Sequence, residues 1–186
     1  MRKFKLQIQV SIDGYMAAPD GQPGGIDIPF TDDMYAAMDE INDSVDCIVL
    51  GRNIADGFIT AWAARPQDEP DGITDFINDT AKVVISNTLT SSSWENTVVA
   101  GGDIVATVNE LKSRPGGDLI AYGGGTLVAS LLAHDLVDDL YLFVNPVAYG
   151  GGMPVFGPLD VKLRYRLAGA QPFESGITAL HYQPLR

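Results

Sequence analysis

Apolar and polar residues alternate along the first eleven positions, and this two-residue period predicts a β-strand over Lys3–Ser11. Its apolar positions are Phe4, Leu6, Ile8 and Val10. Shorter apolar runs of β-branched and aromatic residues predict seven more strands, at 46–50, 82–86, 97–100, 119–122, 140–144, 164–168 and 178–182. The pattern therefore predicts a sheet of about eight strands.

Between most of these runs, apolar residues recur every three or four positions, which is typical of helices packed on a sheet. Helices are predicted at 32–43, after Asn53, at 73–80, at 103–113 and at 126–132, with Thr31 as the cap of the first. Alternating strands and helices favour a mostly parallel α/β sheet. The last two strands have no helix between them, which predicts an antiparallel edge. We expect a single domain over residues 1–186.

The charge balance of the 186-residue chain limits its partners. Its formal net charge is -12, so we expect neither nucleic acid nor an anionic membrane to bind it.

No apolar run approaches the roughly 20 residues that span a bilayer, and the N-terminus resembles no signal peptide. Cys47 is the single cysteine and there are two histidines, so we expect no internal disulfide and no metal site. These features predict a cytoplasmic protein.

A triple-glycine turn is the strongest local signal. A short apolar strand is followed by Gly123, Gly124 and Gly125, and then by a helix that begins near Thr126. Backbone N–H groups at such a helix start can bind a phosphate, and glycines let the phosphate approach closely. The turn is not a Rossmann fingerprint, because it lies two-thirds along the chain and the acids at 138 and 139 come too early.

Four predicted strand ends carry polar or glycine-rich turns, and parallel strands bring their carboxyl ends to one edge of a sheet. The turns are Asp13-Gly14, Gly51-Arg52-Asn53, Ser86-Asn87-Thr88 and Gly123–Thr126. Together they favour a long, phosphate-bearing cofactor over a single small anion. Two simpler interpretations stay open: the serine turn has no ligand, and Arg52 is an ordinary surface ion-pair residue.

These four motifs occur in the order seen in dihydrofolate reductases. The later segment, from Leu136 through the Gly150–Gly152 triplet, resembles the reductase domain of bifunctional riboflavin-biosynthesis deaminase/reductases. Over nearly its whole length the chain is similar to stand-alone members of the dihydrofolate-reductase-like superfamily. The resemblance implies that fold, an oxidoreductase activity and NADPH as cofactor. Relatives of this type often form homodimers, and we expect one here through the apolar segment 141–156.

Site residues follow from the resemblance position by position. Arg52 would face the 2′-phosphate or pyrophosphate, Ser86 and Asn87 the adenosine end, and the glycine turn the pyrophosphate. Ala17 and Ala18, in the loop after Asp13, would pass the nicotinamide; this long loop continues through Pro23, Gly24 and Gly25. The cofactor-binding residues implied are Ala17, Ala18, Gly51, Arg52, Asn53, Ser86, Asn87, Gly123, Gly124, Gly125, Thr126 and Leu127.

The implied substrate is a small flat heterocycle: a pterin, a folate-like compound or an aminopyrimidine. Asp33 would be the catalytic carboxylate, with Asp32 and Asp13 as alternatives near the substrate. Tyr122 occupies the position where riboflavin-pathway reductases carry a substrate-binding glutamate. Two other functions stay open, the 5-amino-6-(5-phosphoribosylamino)uracil reductase of riboflavin biosynthesis and a dinucleotide- or pterin-binding protein without turnover.

Overall fold

Ten strands and five helices occur in the parts of the chain that the computed structural model describes, residues 1–21, 28–160 and 162–186. The strands are β1 (Phe4–Ser11), β2 (Tyr15–Ala17), β3 (Val45–Gly51), β4 (Ala81–Ile85), β5 (Thr97–Ala100), β6 (Asp118–Ala121), β7 (Asp139–Asn145), β8 (Met153–Pro154), β9 (Tyr165–Pro172) and β10 (Thr178–Pro184). The helices are α1 (Asp32–Asn42), α2 (Arg52–Ala63), α3 (Asp71–Asp79), α4 (Ile104–Ser113) and α5 (Gly125–Ala133).

Eight of these strands form one sheet in the order β5-β4-β3-β6-β1-β7-β10-β9. Every neighbouring pair from β5 to β7 is parallel, whereas β10 runs antiparallel to both β7 and β9. The predicted mixed sheet with an antiparallel C-terminal edge is confirmed. Because the parallel strands share one direction, their carboxyl ends all meet at the same edge of the sheet.

Helices cover the two faces of the sheet, and β3 shows how one strand supplies both cores. Cys47 and Val49 belong to the core that lies under α4 and α5. Ile48 and Leu50 belong to the core under α1, α2 and α3. Successive strand residues point to opposite faces, so a strand buried on both sides reads as a continuous apolar run. Full burial of a side chain such as Leu50 stabilises the fold by about 1.5–3 kcal/mol.

Three sequence expectations need correction. The small antiparallel pair of β2 and β8 was not predicted. Thr31 is the N-cap residue of α1, but its hydroxyl donates to Asp33 and makes no capping bond to the backbone. Strand β7 lies between β1 and β10, so the start of the segment 141–156 offers no free edge for a dimer; the two open edges of the sheet belong to β5 and β9. The loop residues Pro23, Gly24 and Gly25 lie outside the described residues.

Candidate functional site

A cleft of ≈ 570 Å³ lies at the carboxyl edge of the sheet, where β3, β4, β5 and β6 end. Turns from all four strands contribute to its walls, together with one residue of β8. The lining residues are Gly51, Arg52, Asn53, Ile54, Ile85, Ser86, Asn87, Thr88, Gly102, Asp103, Ile104, Gly124, Gly125, Thr126, Leu127, Ser130 and Met153.

Three helices begin at this cleft, and they differ in whether a side chain accepts a hydrogen bond from their first backbone N–H groups. Helices α2 and α5 start after Gly51 and Gly124, neither of which can make a side-chain cap. Their first turns contain no acidic residue. In α4 the carboxylate of Asp103 accepts a 2.8 Å hydrogen bond from the N–H of Ala106. The starts of α2 and α5 therefore present unsatisfied N–H groups and positive dipole ends, which favour an anion.

The two uncapped helix starts pack directly against each other, and glycine makes this possible. A Cβ on Gly51 would lie 3.2 Å from the Cβ of Leu127 in α5. A Cβ on Gly124 would lie 3.2 Å from the side chain of Ile54 in α2. Gly124 also has φ +89°, a conformation that residues with a side chain rarely adopt. The result is a close pair of helix starts, neither of which is capped by the side chain of its preceding residue.

The cleft brings together most of the cofactor-binding residues that the sequence predicts. Those that line it are Gly51, Arg52, Asn53, Ser86, Asn87, Gly124, Gly125, Thr126 and Leu127. Arg52 is exposed and forms no ion pair or hydrogen bond with any residue in the described ranges, so its guanidinium is available to a ligand. Gly123, Ala17 and Ala18 do not line the cleft. Gly123 lies one residue before it, with φ +112°, and shapes the turn.

The serine turn after β4 has two different roles. The hydroxyl of Ser86 accepts hydrogen bonds from the N–H groups of Thr88 and Leu89, at 3.1 and 2.9 Å, so it holds the loop. Asn87 Oδ1 accepts a 2.6 Å bond from the N–H of Gly102, which ties the end of β4 to the end of β5. The Nδ2 group of Asn87 donates to no described residue. Asn87 is therefore the better candidate for ligand contact.

Strand β8 carries a cleft residue that sequence reasoning missed. The Sδ of Met153 lies 2.2 Å from where a Cβ on Gly125 would stand, so the methionine covers the first residue of α5. Next to it, Gly152 has φ +120°, and a Cβ there would lie 2.1 Å from the carbonyl oxygen of Ala17. Ala17 and Ala18 are thus held against the Gly150–Gly152 triplet, one residue away from the cleft wall.

Asp13 holds the same triplet from the other side. Its carboxylate accepts hydrogen bonds from the hydroxyl of Ser11 at 2.6 Å and from the N–H groups of Tyr149 and Gly150 at 3.1 and 2.7 Å. The Ser11 hydroxyl and then the Gly150 N–H lower the pKa of Asp13, because both bond to the charged form. Its contacts are those of a residue that fixes a loop.

The two acids at the start of α1 lie outside the cleft. Asp33 accepts a hydrogen bond from the Thr31 hydroxyl and a second, of 3.0 Å, from the N–H of Glu174 in the β9–β10 turn. The Thr31 bond is the main cause of a lowered pKa at Asp33, so the carboxylate is ionised at neutral pH. Asp32 is exposed.

Tyr122 points into the core beneath α1. Its hydroxyl donates a 2.6 Å hydrogen bond to Asn42 Oδ1, and its ring stacks on Phe58 with the centroids 6.2 Å apart. Burial raises its pKa well above the usual range for tyrosine. Sequence spacing could not have found the Asn42 contact, because the two residues are 80 positions apart. No charged group replaces the glutamate at this position.

The comparisons with known proteins decide the family. The model of the RibD C-terminal domain matches residues 2–179. The chain belongs to this family. It is 27% identical over 185 residues to the uncharacterized protein YyaP of Bacillus subtilis, covering 97% of this chain and 94% of YyaP. The resemblance to riboflavin-biosynthesis reductase domains is thereby confirmed.

Solved structures confirm the fold of this family member. A putative riboflavin biosynthesis protein from Shewanella sp. PV-4 superposes with a TM-score of 0.78 at 23% identity, covering all of both chains. The dihydrofolate reductase of Enterococcus faecalis, solved with NADP(H) and RAB-propyl, superposes with a TM-score of 0.64 at 15% identity, covering 99% of this chain and 97% of that one. The predicted dihydrofolate-reductase-like fold is therefore confirmed.

Two kinds of feature are absent from the described residues. Among them no cluster of three or more His, Cys, Asp or Glu side chains is arranged to hold a metal ion. No helix in the same ranges combines the length and the apolar character that crossing a bilayer requires.

Proposed function

We propose that this protein is an NADPH-dependent reductase of a small heterocycle, of the pterin, folate-like or aminopyrimidine class. The observation that carries the proposal is the pair of uncapped helix starts, α2 and α5, side by side in one cleft. Each uncapped helix start can bind a phosphate, so the pair suits the two adjacent phosphates of a dinucleotide. Membership of the RibD C-terminal domain family and the fold shared with a dihydrofolate reductase support a reductase.

The residues of the cleft fit a dinucleotide cofactor. Glycine at 51 and 124 lets the starts of α2 and α5 pack closely together, and their uncapped backbone N–H groups would bind the pyrophosphate. Arg52 would bind the 2′-phosphate of the adenosine ribose, because it is the cation at the start of α2 and has no partner within the described residues. A bound NADPH supplies the hydride, so the protein contributes binding, alignment and exclusion of water.

The nicotinamide end would point along the sheet from β6 toward β1, because the pyrophosphate cradle lies after β6 and the adenosine subsite after β4. Ala17, whose carbonyl oxygen lies against Gly152, is proposed to pass that end of the cofactor. Asp33 is proposed to orient the substrate ring from the start of α1. Because its pKa is lowered, it acts as a carboxylate that accepts a ring N–H or organises a water, and it does not donate its own proton.

The riboflavin-pathway step is the weaker of the two reductase candidates. A substrate-binding glutamate offers a charged acceptor beside the glycine turn. Tyr122 is uncharged, and its hydroxyl donates a hydrogen bond to Asn42 in the core. We therefore favour a substrate without a phosphoribosyl group. A dinucleotide-binding protein without turnover would share the cleft and would differ only in kinetics.

The test combines binding with turnover. Titration calorimetry with NADPH and NADH is followed by a spectrophotometric assay of NADPH oxidation against pterins, dihydrofolate and aminopyrimidines. We expect Arg52→Gln to weaken NADPH binding about ten- to a hundredfold, the worth of one charge-assisted hydrogen bond, while NADH binding stays unchanged. Arg164→Gln, another exposed arginine outside the cleft, is the matched control. Lack of NADPH binding by the parent protein would refute the proposal.

A further inference from the structure

The cleft contains an acidic residue that the proposed cofactor would have to face. Asp103 follows β5 and lines the same cleft as Arg52. One carboxylate oxygen, Oδ1, accepts the N–H of Ala106, and no described residue donates to the other. Asp103 is an exposed acidic side chain on the wall of the cleft. The overall net charge of -12 offers it no general compensation.

Strand order gives the position of this charge relative to Arg52. Strand β4 separates β5 from β3, and neighbouring strands are about 4.8 Å apart, so the turns that carry Asp103 and Arg52 are separated by roughly 10 Å. The turn with Ser86 and Asn87 lies between them. A pyrophosphate on α2 and α5 would leave the adenosine ribose in this gap. The ribose would therefore meet a cation on one side and a carboxylate on the other.

Two N–H groups on the Asp103 side already have side-chain acceptors. Asp103 Oδ1 accepts the N–H of Ala106 in the first turn of α4, and Asn87 Oδ1 accepts the N–H of Gly102. A phosphate placed there would meet the like charge of the capping carboxylate, which disfavours its binding. A ribose hydroxyl would find a carboxylate acceptor, which is how acidic residues select unphosphorylated dinucleotides in other folds.

We propose that Asp103 is a specificity-determining residue that opposes the 2′-phosphate and accepts a hydrogen bond from a ribose hydroxyl. The cleft then binds both NADH and NADPH. Arg52 attracts the 2′-phosphate of NADPH, whereas Asp103 repels that phosphate. This inference rests on the proposed function, since it concerns the same cofactor cleft. It deepens that function by naming a second cofactor that the cleft accepts.

The test uses Asp103→Asn, which removes the charge and keeps the helix cap, because asparagine caps a helix as well as aspartate does. Dissociation constants for NADPH and NADH are measured by calorimetry at low and high salt. We expect NADPH to bind about three- to tenfold more tightly to the variant and NADH to bind equally or more weakly. High salt should reduce the change for NADPH, because the repulsion is screened.

Two further variants make the result specific. Asp103→Ser also keeps a capping side chain and should move the NADPH/NADH ratio in the same direction. Glu95→Gln removes one charge just before β5, at the opposite end of that strand, and should leave the ratio unchanged. An unchanged ratio in both Asp103 variants would overturn the inference while leaving the proposed function intact. Failure of the parent protein to bind either nucleotide would overturn both.

Discussion

The backbone N–H of Gly150 donates a 2.7 Å hydrogen bond to Oδ2 of Asp13, across 137 positions of sequence. Through this bond and the one from Tyr149, the turn after β1 holds the loop between β7 and β8. That loop leads to Met153, which covers Gly125 in the cleft. A residue expected to touch substrate thus controls the position of a residue beside the cofactor cleft.

Asp13→Ala is expected to release the loop. The N–H groups of Tyr149 and Gly150 would lose their acceptor, so their hydrogen exchange should become faster while the exchange of β1 amides stays slow. Cofactor binding should weaken, because Met153 would no longer be held over the start of α5. Hydrogen exchange followed by NMR measures both. Unchanged exchange at Gly150 in the variant would contradict the role of Asp13.

Gly125→Ala tests the phosphate cradle with little cost to the fold. Gly125 has no positive φ, and the added methyl would meet only the flexible end of Met153, which can move. We expect NADPH binding to weaken at least tenfold while the melting temperature stays close to that of the parent. Gly124→Ala is the comparison: its φ of +89° and the 3.2 Å contact with Ile54 should cost about 1–3 kcal/mol of stability. Equal NADPH affinity in parent and Gly125→Ala would remove this turn from the cofactor site.

Asp33→Asn separates chemistry from cofactor binding. We expect hydride transfer to fall by ~10²-fold, the usual scale for losing a group that assists proton transfer, with NADPH affinity unchanged. The pKa of Asp33 is lowered below the ordinary aspartate value of 3.8, so the carboxylate stays ionised between pH 5 and 8. Its titration should therefore cause no fall in the parent's rate at the acid end of that range. Stopped-flow kinetics across that range measure both. Asp32→Asn, at the neighbouring exposed acid, is the control. A rate for Asp33→Asn within twofold of the parent would exclude Asp33 from the chemical step.

Asp138 should make stability depend on acid pH. It accepts hydrogen bonds from the Lys112 ammonium, from the N–H of Phe4 at 2.8 Å and from Arg186 at 2.9 Å. Burial acts to raise its pKa, but these bonds outweigh burial and the pKa is lowered. The stabilisation is therefore complete above the unfolded-state pKa, about 3.9, and is lost as pH falls through the lower folded-state value.

The matching variant is Asp138→Ala, which leaves the buried Lys112 charge without its carboxylate. We expect it to lower the free energy of unfolding at pH 7 by about 3–5 kcal/mol and to flatten the loss of stability between pH 5 and 3. Urea denaturation at each pH measures this. Asp160→Ala, at an exposed acid, should behave like the parent. A variant with the parent's steep acid dependence would show that other carboxylates cause it.

The predicted homodimer has a direct test. Strand β9 forms one of the two open edges of the sheet, and its Leu167 is 55% exposed, so we expect the dimer contact at this edge in place of the segment 141–156. Sedimentation should give a species of twice the 19.9 kDa chain mass at micromolar concentration. Leu167→Lys should shift it toward the monomer, because a charge on an edge strand opposes pairing. A single species of monomer mass in the parent would end this prediction.

Sequence patterns predicted the main sheet because each of its strands carries a clear apolar signal. Strands β2 and β8 have three and two residues, too few for any period to show. The glycine turn and Arg52 were found because helix starts after glycine have a local signature. Asp103 was missed as a site residue, although its capping role is local, because its place in the cleft depends on β5 lying next to β4. Likewise, nothing near Tyr122 indicates that its hydroxyl reaches Asn42.

Strand order also has a consequence for how the chain folds during synthesis. Leu6, in β1, lies between Ala121 and Leu140, both more than a hundred positions later. At the usual 5–20 residues per second, that strand waits on the order of 6–25 seconds for its first neighbour. Such long-range parallel pairing is slow, and an unpaired apolar strand is prone to aggregate while it waits. We therefore expect yields of folded protein to depend more on chaperones and growth temperature than on the stability of the finished molecule.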